Sequence, residues 1–89
     1  MNKDIGIKNK KLYNKIRQLS NPSKFKIIEA TQDSEINVTN LSKISKLAFN
    51  KCSNYCSELE KQNLVIKNKV GINSFVKSKI SLESLSRSF

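Results

Sequence analysis

Asn50, Lys51, Ser53, Asn54 and Ser57 fall within two helical turns of one another. A helix places Asn50, Asn54 and Ser57 on one side, because side chains three and four positions apart share a face. The chemistry open to such a set is hydrogen bonding to base edges. An asparagine amide pairs with adenine through two bonds, a lysine reaches guanine or a phosphate, and a serine suits either. With nothing docked on them, the same residues make an ordinary solvated helix face. Tyr55 lies in the same stretch and can pack its ring while its hydroxyl reaches a phosphate. Phe49 could touch a thymine methyl group. Burial in the core or under a partner chain is the stronger expectation for it.

Cys52 and Cys56 share the opposite side of that helix, at i and i+4. Zinc needs a third and usually a fourth ligand of the Cys or His type, and the chain has no His and no other Cys. Free cysteine is also a good small hydrophobe, so core packing is expected, and an intermolecular disulfide would need an exposed thiol. There is no phosphate-cradling glycine loop and no nucleophile–base pair, and the 7 acidic residues are scattered. The chain is therefore not expected to be an enzyme or to need a metal or cofactor.

The formal charge is +10, from 17 basic against 7 acidic residues. Such an excess suits a polyanion, either nucleic acid or an anionic surface. Fifteen of the basic residues are Lys. With abundant Asn and Ile, this is also what an AT-rich genome produces, a composition that suits a thermophilic archaeon or its virus. No apolar run approaches the ~20 residues of a membrane span. The N-terminus lacks the apolar core of a signal peptide. A cytoplasmic protein is expected, nucleoid-associated or in an infected host cell, with no membrane partner. At 89 residues the chain makes one small domain spanning 1–89, with a limited core that dimerisation would reinforce.

The elements that must position these residues can be read along the chain. Leu12, Ile16 and Leu19 form the stripe of a first helix, with Tyr13 beside them and Lys8, Lys10, Lys11, Lys15 and Arg17 elsewhere. Pro22 breaks it, and Asn21 is a good N-cap for a second helix with Pro at its first position. That helix should run to about Thr31 and bury Phe25, Ile28 and Ile27. Ile36-Asn37-Val38 reads as a very short strand. Thr39 would cap a third helix, with Leu41 and Ile44 inward and an end near Ser45-Lys46, after which Leu47 plugs the turn. A fourth helix is expected from Ala48 to Gln62, with Cys52, Cys56 and Leu59 as its buried stripe. Asn63 suits the left-handed position after it. Residues 64–67 and 72–77 read as strands, with Asn68-Lys69-Val70-Gly71 turning between them. Ser81 would cap a last short helix carrying Leu82, Leu85 and Phe89.

The expected fold is mainly α with a small β-hairpin, in the order α-α-β-α-α-β-β and a terminal α. This order, over about residues 12–77, resembles the winged helix-turn-helix superfamily, and most closely the small regulators of the ArsR and MarR type. The run from Leu19 to Ile28 is similar to the Leu-Ser-Asn-Pro-Thr-Arg segment that opens the second helix in ArsR-type proteins. Val38 to Ser42 resembles the start of the helix-turn-helix. Cys52 to Val65 resembles a recognition helix running into the first wing strand. Two aliphatic family positions are Cys52 and Cys56 here, the usual C-terminal Gly is Asn63, and the usual Ser cap of the recognition helix is Ala48. Nothing matches the metal sites of the metal-sensing relatives.

The resemblance implies double-stranded DNA binding by a homodimeric transcriptional regulator. The recognition helix would present Asn50, Lys51, Ser53, Asn54, Tyr55 and Ser57. Lys43 and Lys46 would contact phosphates, and the wing would carry Lys67, Asn68, Lys69 and Asn73 along the backbone or into the minor groove. The wing residues read equally well as a charged surface hairpin that protects its edge. Leu12, Ile16, Leu19, Leu82, Leu85 and Phe89 are the expected dimer interface. No small-molecule effector is evident. A winged-helix protein-interaction module, and a non-specific architectural DNA-binding or RNA-binding protein, are the alternatives.

Overall fold

A computed structural model describes residues 10–83, with the backbone alone at 11 and 12. Its elements are α1 (Lys10–Ser20), α2 (Pro22–Ala30), β1 (Ile36–Asn37), α3 (Val38–Ser45), α4 (Phe49–Lys61), β2 (Val65–Val70) and β3 (Asn73–Ser78). The strands form one antiparallel sheet in the order β1-β3-β2. Four helices packed on a small sheet make a winged helix-turn-helix, with α3 and α4 as the helix pair and β2–β3 as the wing.

The α2 start follows its sequence signals. Asn21 Oδ1 accepts from the Ser23 and Lys24 amides at 2.9 and 3.1 Å, ahead of Pro22. At α3 the cap is Asn37 rather than Thr39, and its side chain accepts from the Asn40 amide at 2.8 Å. Val38 thus leaves the strand and opens the helix. Both Asn37 and Thr39 are good caps by type, and pairing of Asn37 with Phe75 on β3 settles the choice.

Helices α3 and α4 both end on non-glycine residues in the left-handed region, Lys46 at φ 58 and Asn63 at φ 61. After α3, the Leu47 amide donates to Ser42 O at 2.9 Å and the Lys46 amide to Lys43 O at 3.3 Å. After α4, the Leu64 amide donates to Leu59 O and the Asn63 amide to Glu60 O, both at 3.0 Å. These are paired Schellman closures, each followed by a leucine turned toward the core.

The core is Ile27, Ile28, Val38, Leu41, Cys52, Cys56, Leu59, Leu64, Val65 and Val76. The Cys52–Cys56–Leu59 stripe is fully buried, as its spacing implied. Two expected core positions differ. Phe25 lies at the surface, although Ile27 and Ile28 beside it are buried as expected, and Ile44 is 46% exposed while Ser45 takes an inward place. A helix tolerates only an arc of about 100° facing the core, and these two fall on its edge.

The chain after β3 is tied to the end of α2. The Thr31 and Ser78 hydroxyls meet at 2.8 Å inside the protein. Gln32 Nε2 donates to Ile28 O and Ile80 O, and its Oε1 accepts from the Leu82 amide at 2.9 Å. Leu82 and Glu83 are helical, directly after the expected cap Ser81, and Leu85 and Phe89 lie outside the described residues.

Candidate nucleic-acid interface

Helix α4 puts its three core residues on one side, and this decides what the other sides offer. Asn50 and Asn54 lie opposite the stripe and are exposed, as is Lys51. Ser53 and Ser57 are half-buried on the flank nearer the wing. Tyr55 is half-buried on the other flank and packs against the core. The Lys24 and Lys51 ammonium groups lie 5.0 and 5.8 Å from its ring centroid, within cation–π range.

The start of α4 is uncapped. Ala48 makes no side-chain cap bond, and only its carbonyl is engaged, by the Cys52 amide at 2.9 Å. No acidic residue stands in the first turn. Glu58 and Glu60 lie toward the far end, and Glu58 is tied to Lys24. The N-terminal half of α4 is thus the less acidic half. Before it, Lys43 in the last turn of α3 and Lys46 at its C-terminal end are both exposed.

Lys24 is the least expected polar residue. It is buried on α2, and its ammonium donates to Gln18 on α1 and to Glu58 on α4. Lysine reads as a surface residue in a sequence, and nothing local signals this bridge.

The wing differs in detail from its expected form. The turn is the two-residue Gly71-Ile72 between the paired Val70 and Asn73. Gly71 has φ +63, the arrangement of hairpin turns with Gly at the first central position. Asn68 and Lys69 therefore belong to β2 and not to the turn. Lys67 is half-buried and donates to Ser57 Oγ at 3.1 Å, joining the wing's root to α4. Asn68 donates to Glu35 Oε2 at 3.0 Å. Lys69 and Asn73 are exposed near the tip.

A shallow cleft runs between the wing and the helix pair, lined by Thr39, Phe49, Ser53, Ile72, Asn73 and Ser74 among others. It brings together Ser53 and Asn73, which are among the expected site residues, and three that sequence reasoning passed over: Thr39, Ser74 and Ile72. Phe49 is 53% exposed on this cleft and outside the core, because the buried arc of α4 begins at Cys52. The register of the wing against α3 was the missing information for the other three.

On the remaining faces, Tyr13 and Ile16 of α1 are exposed, while Leu19 and Leu82 pack partly against their own core. The Leu12 side chain lies outside the described residues. Among the described residues no three His, Cys, Asp or Glu side chains cluster to hold a metal, and no helix is long and apolar enough to cross a membrane. Burial pushes the Cys52 thiol above its ordinary pKa and the Cys56 thiol up to about 12.

No protein-family model matches the chain, and no curated protein matches it in sequence. Solved structures do match in shape. NolR from Sinorhizobium fredii superposes with a TM-score of 0.80 at 19% identity, covering 100% of this chain and 94% of that one. The transcriptional repressor BigR from Xylella fastidiosa gives 0.75 at 15% identity, with 100% and 96% covered. The homodimeric winged helix-turn-helix DNA-binding domain of a possible ArsR-family transcriptional regulator from Mycobacterium bovis gives 0.75 at 14%, with 99% and 79% covered. At these identities the likeness is one of fold: the chain has the winged helix-turn-helix architecture of NolR, BigR and the ArsR-type domain.

Proposed function

We propose that this chain is a sequence-specific double-stranded DNA-binding protein and acts as a homodimeric transcriptional regulator. The observation that carries the reading is the division of α4. Its apolar stripe is fully buried, while Asn50, Lys51 and Asn54 face outward beside the exposed Lys43 and Lys46. A structural neighbour is a transcriptional repressor, and another is a homodimeric DNA-binding domain. The charge of +10 supports the same partner.

In this reading α4 enters the major groove, with Asn50, Lys51, Ser53 and Asn54 toward base edges and Ser57 and Tyr55 toward its margins. Lys43 and Lys46 meet the phosphates on one side of the groove. Lys69 and Asn73 meet the backbone on the wing side, with Lys67 and Asn68 behind them bracing the wing. Ile16 and Tyr13, with the segment following Leu82, supply the dimer surface. Two recognition helices about 34 Å apart would then address successive major grooves on a roughly palindromic site.

Gel-shift titration against genomic fragments at two salt concentrations tests the proposal. Binding should favour particular fragments and weaken steeply with salt. Asn54→Ala should relax the preference among sequences. Lys69→Ala should weaken all duplexes alike and lower the salt slope by about 1. No binding to any duplex at low salt would refute the reading.

A further inference from the structure

The wing ends in an apolar point. Ile72 is 95% exposed and Val70 63% exposed, on either side of Gly71. Burial gives no reason for these side chains. The position after a turn glycine ordinarily takes Asn, Asp or Ser, and an isoleucine there gains nothing for the fold. Strand β1 pairs with β3 only at Phe75 and Val76, so the Lys69–Ser74 and Val70–Asn73 rungs of β2 and β3 project beyond it as a narrow finger. That finger carries Lys69 and Asn73 at its sides.

Resting on the DNA-binding reading above, we propose that Ile72 is a minor-groove wedge. It enters the minor groove next to the major groove occupied by α4, presses between neighbouring base pairs and bends the duplex. Two observations favour a nucleic-acid occupant, in the cleft that Ile72 shares with Phe49. Its polar lining, from residues such as Thr39, Ser53, Asn73 and Ser74, consists of short uncharged side chains with no carboxylate to repel a phosphate. Lys69, beside the tip, supplies positive charge where the backbone would flank it. Apolar side chains inserted at a base step unstack it and kink the helix toward the major groove, and pyrimidine–purine steps yield most easily. The wedge would therefore select a flexible step at a position that no hydrogen bond reads.

The test uses the intact protein, a preferred fragment from the gel-shift series, and 2-aminopurine placed at successive steps along it. Ile72→Ala, Ile72→Thr and Ile72→Lys alter a side chain that touches almost nothing, and thermal melting should show all of them folded. Wild-type protein should raise 2-aminopurine fluorescence at one step per half-site and bend the fragment in a circular-permutation gel. Ile72→Ala and Ile72→Thr should lose both signals and bind about tenfold more weakly, equivalent to ~1.4 kcal/mol. Ile72→Lys should keep affinity through its charge and lose the bend. Unchanged bending and fluorescence in Ile72→Ala, with wild type bound, would overturn the wedge and leave the DNA-binding reading standing. Loss in Ile72→Ala of binding to phosphatidylglycerol vesicles, with bending intact, would overturn it in favour of a lipid surface. Failure of the wild type to bind any duplex would overturn both proposals, and would appear before any variant is compared.

Discussion

Lys46 holds a backbone conformation that costs an L-residue roughly 1–2 kcal/mol. The Schellman closure after α3 requires the conformation, and glycine would meet it without strain. Lys46→Gly should therefore stabilise the fold by about 1 kcal/mol in chemical denaturation while weakening duplex binding. Asn63→Gly, at the matching position after α4, should stabilise less, because Asn tolerates this region, and should leave binding unchanged. A gain in stability without a loss of affinity at Lys46 would remove it from the interface. The buried thiols make a second case. Burial raises the Cys56 pKa from the ordinary 9.0 to about 12, so the folded protein favours the neutral thiol. The resulting stabilisation is complete below pH 9.0 and is lost as the pH rises toward about 12. Denaturation midpoints should fall over that alkaline window, and Cys56→Ala should flatten the fall. At neutral pH both cysteines should resist iodoacetamide until the protein is unfolded, since the thiolate is the reactive form.

Among the elements, the Lys24 bridge separates two effects that the sequence alone would merge. Lys24 is buried and Glu58 is half exposed, so loss of either partner has different consequences. Glu58→Ala leaves an inward ammonium with only Gln18 and the Tyr55 ring, and should cost about 1 kcal/mol. Lys24→Met keeps the aliphatic packing, frees Glu58 to water, and should be close to neutral. Equal losses from the two variants, measured by thermal melting, would contradict this account. The element order and the buried stripe of α4 were legible in the sequence because both rest on local signals: the Asn21-Pro22 cap, the i, i+4, i+7 spacing and Asn63. Less legible were features decided by distant partners. Val38 reads as strand until β3 claims Asn37. The polar run Asn68-Lys69 reads as a turn until the register with Ser74 and Phe75 places it inside β2. Of the candidate site, the outward face of α4 was visible from spacing. The cleft residues Thr39, Ser74 and Ile72 were not, because the chain separation between α3 and the wing hides their proximity.

For the molecule as a whole, Asn37 has a consequence beyond capping. One residue ends the edge strand, pairs with Phe75 of the wing and seals the first turn of α3. No loop separates sheet from helix, so neither can open without disturbing the other. In the language of native-state hydrogen exchange, the wing's inner strand and the helix pair should therefore belong to one cooperative opening unit. Asn37→Ala removes a cap worth about 1 kcal/mol, and amides of the β1–β3 pairing and the first turn of α3 should then exchange roughly fivefold faster together. Amides of α1 should keep their wild-type rates. Faster exchange in α3 alone would mean that the two opened separately. Joint opening would make the angle between wing and helix pair a property of the folded state rather than an adjustable one, so that the grooves of the partner, and not the protein, would have to yield.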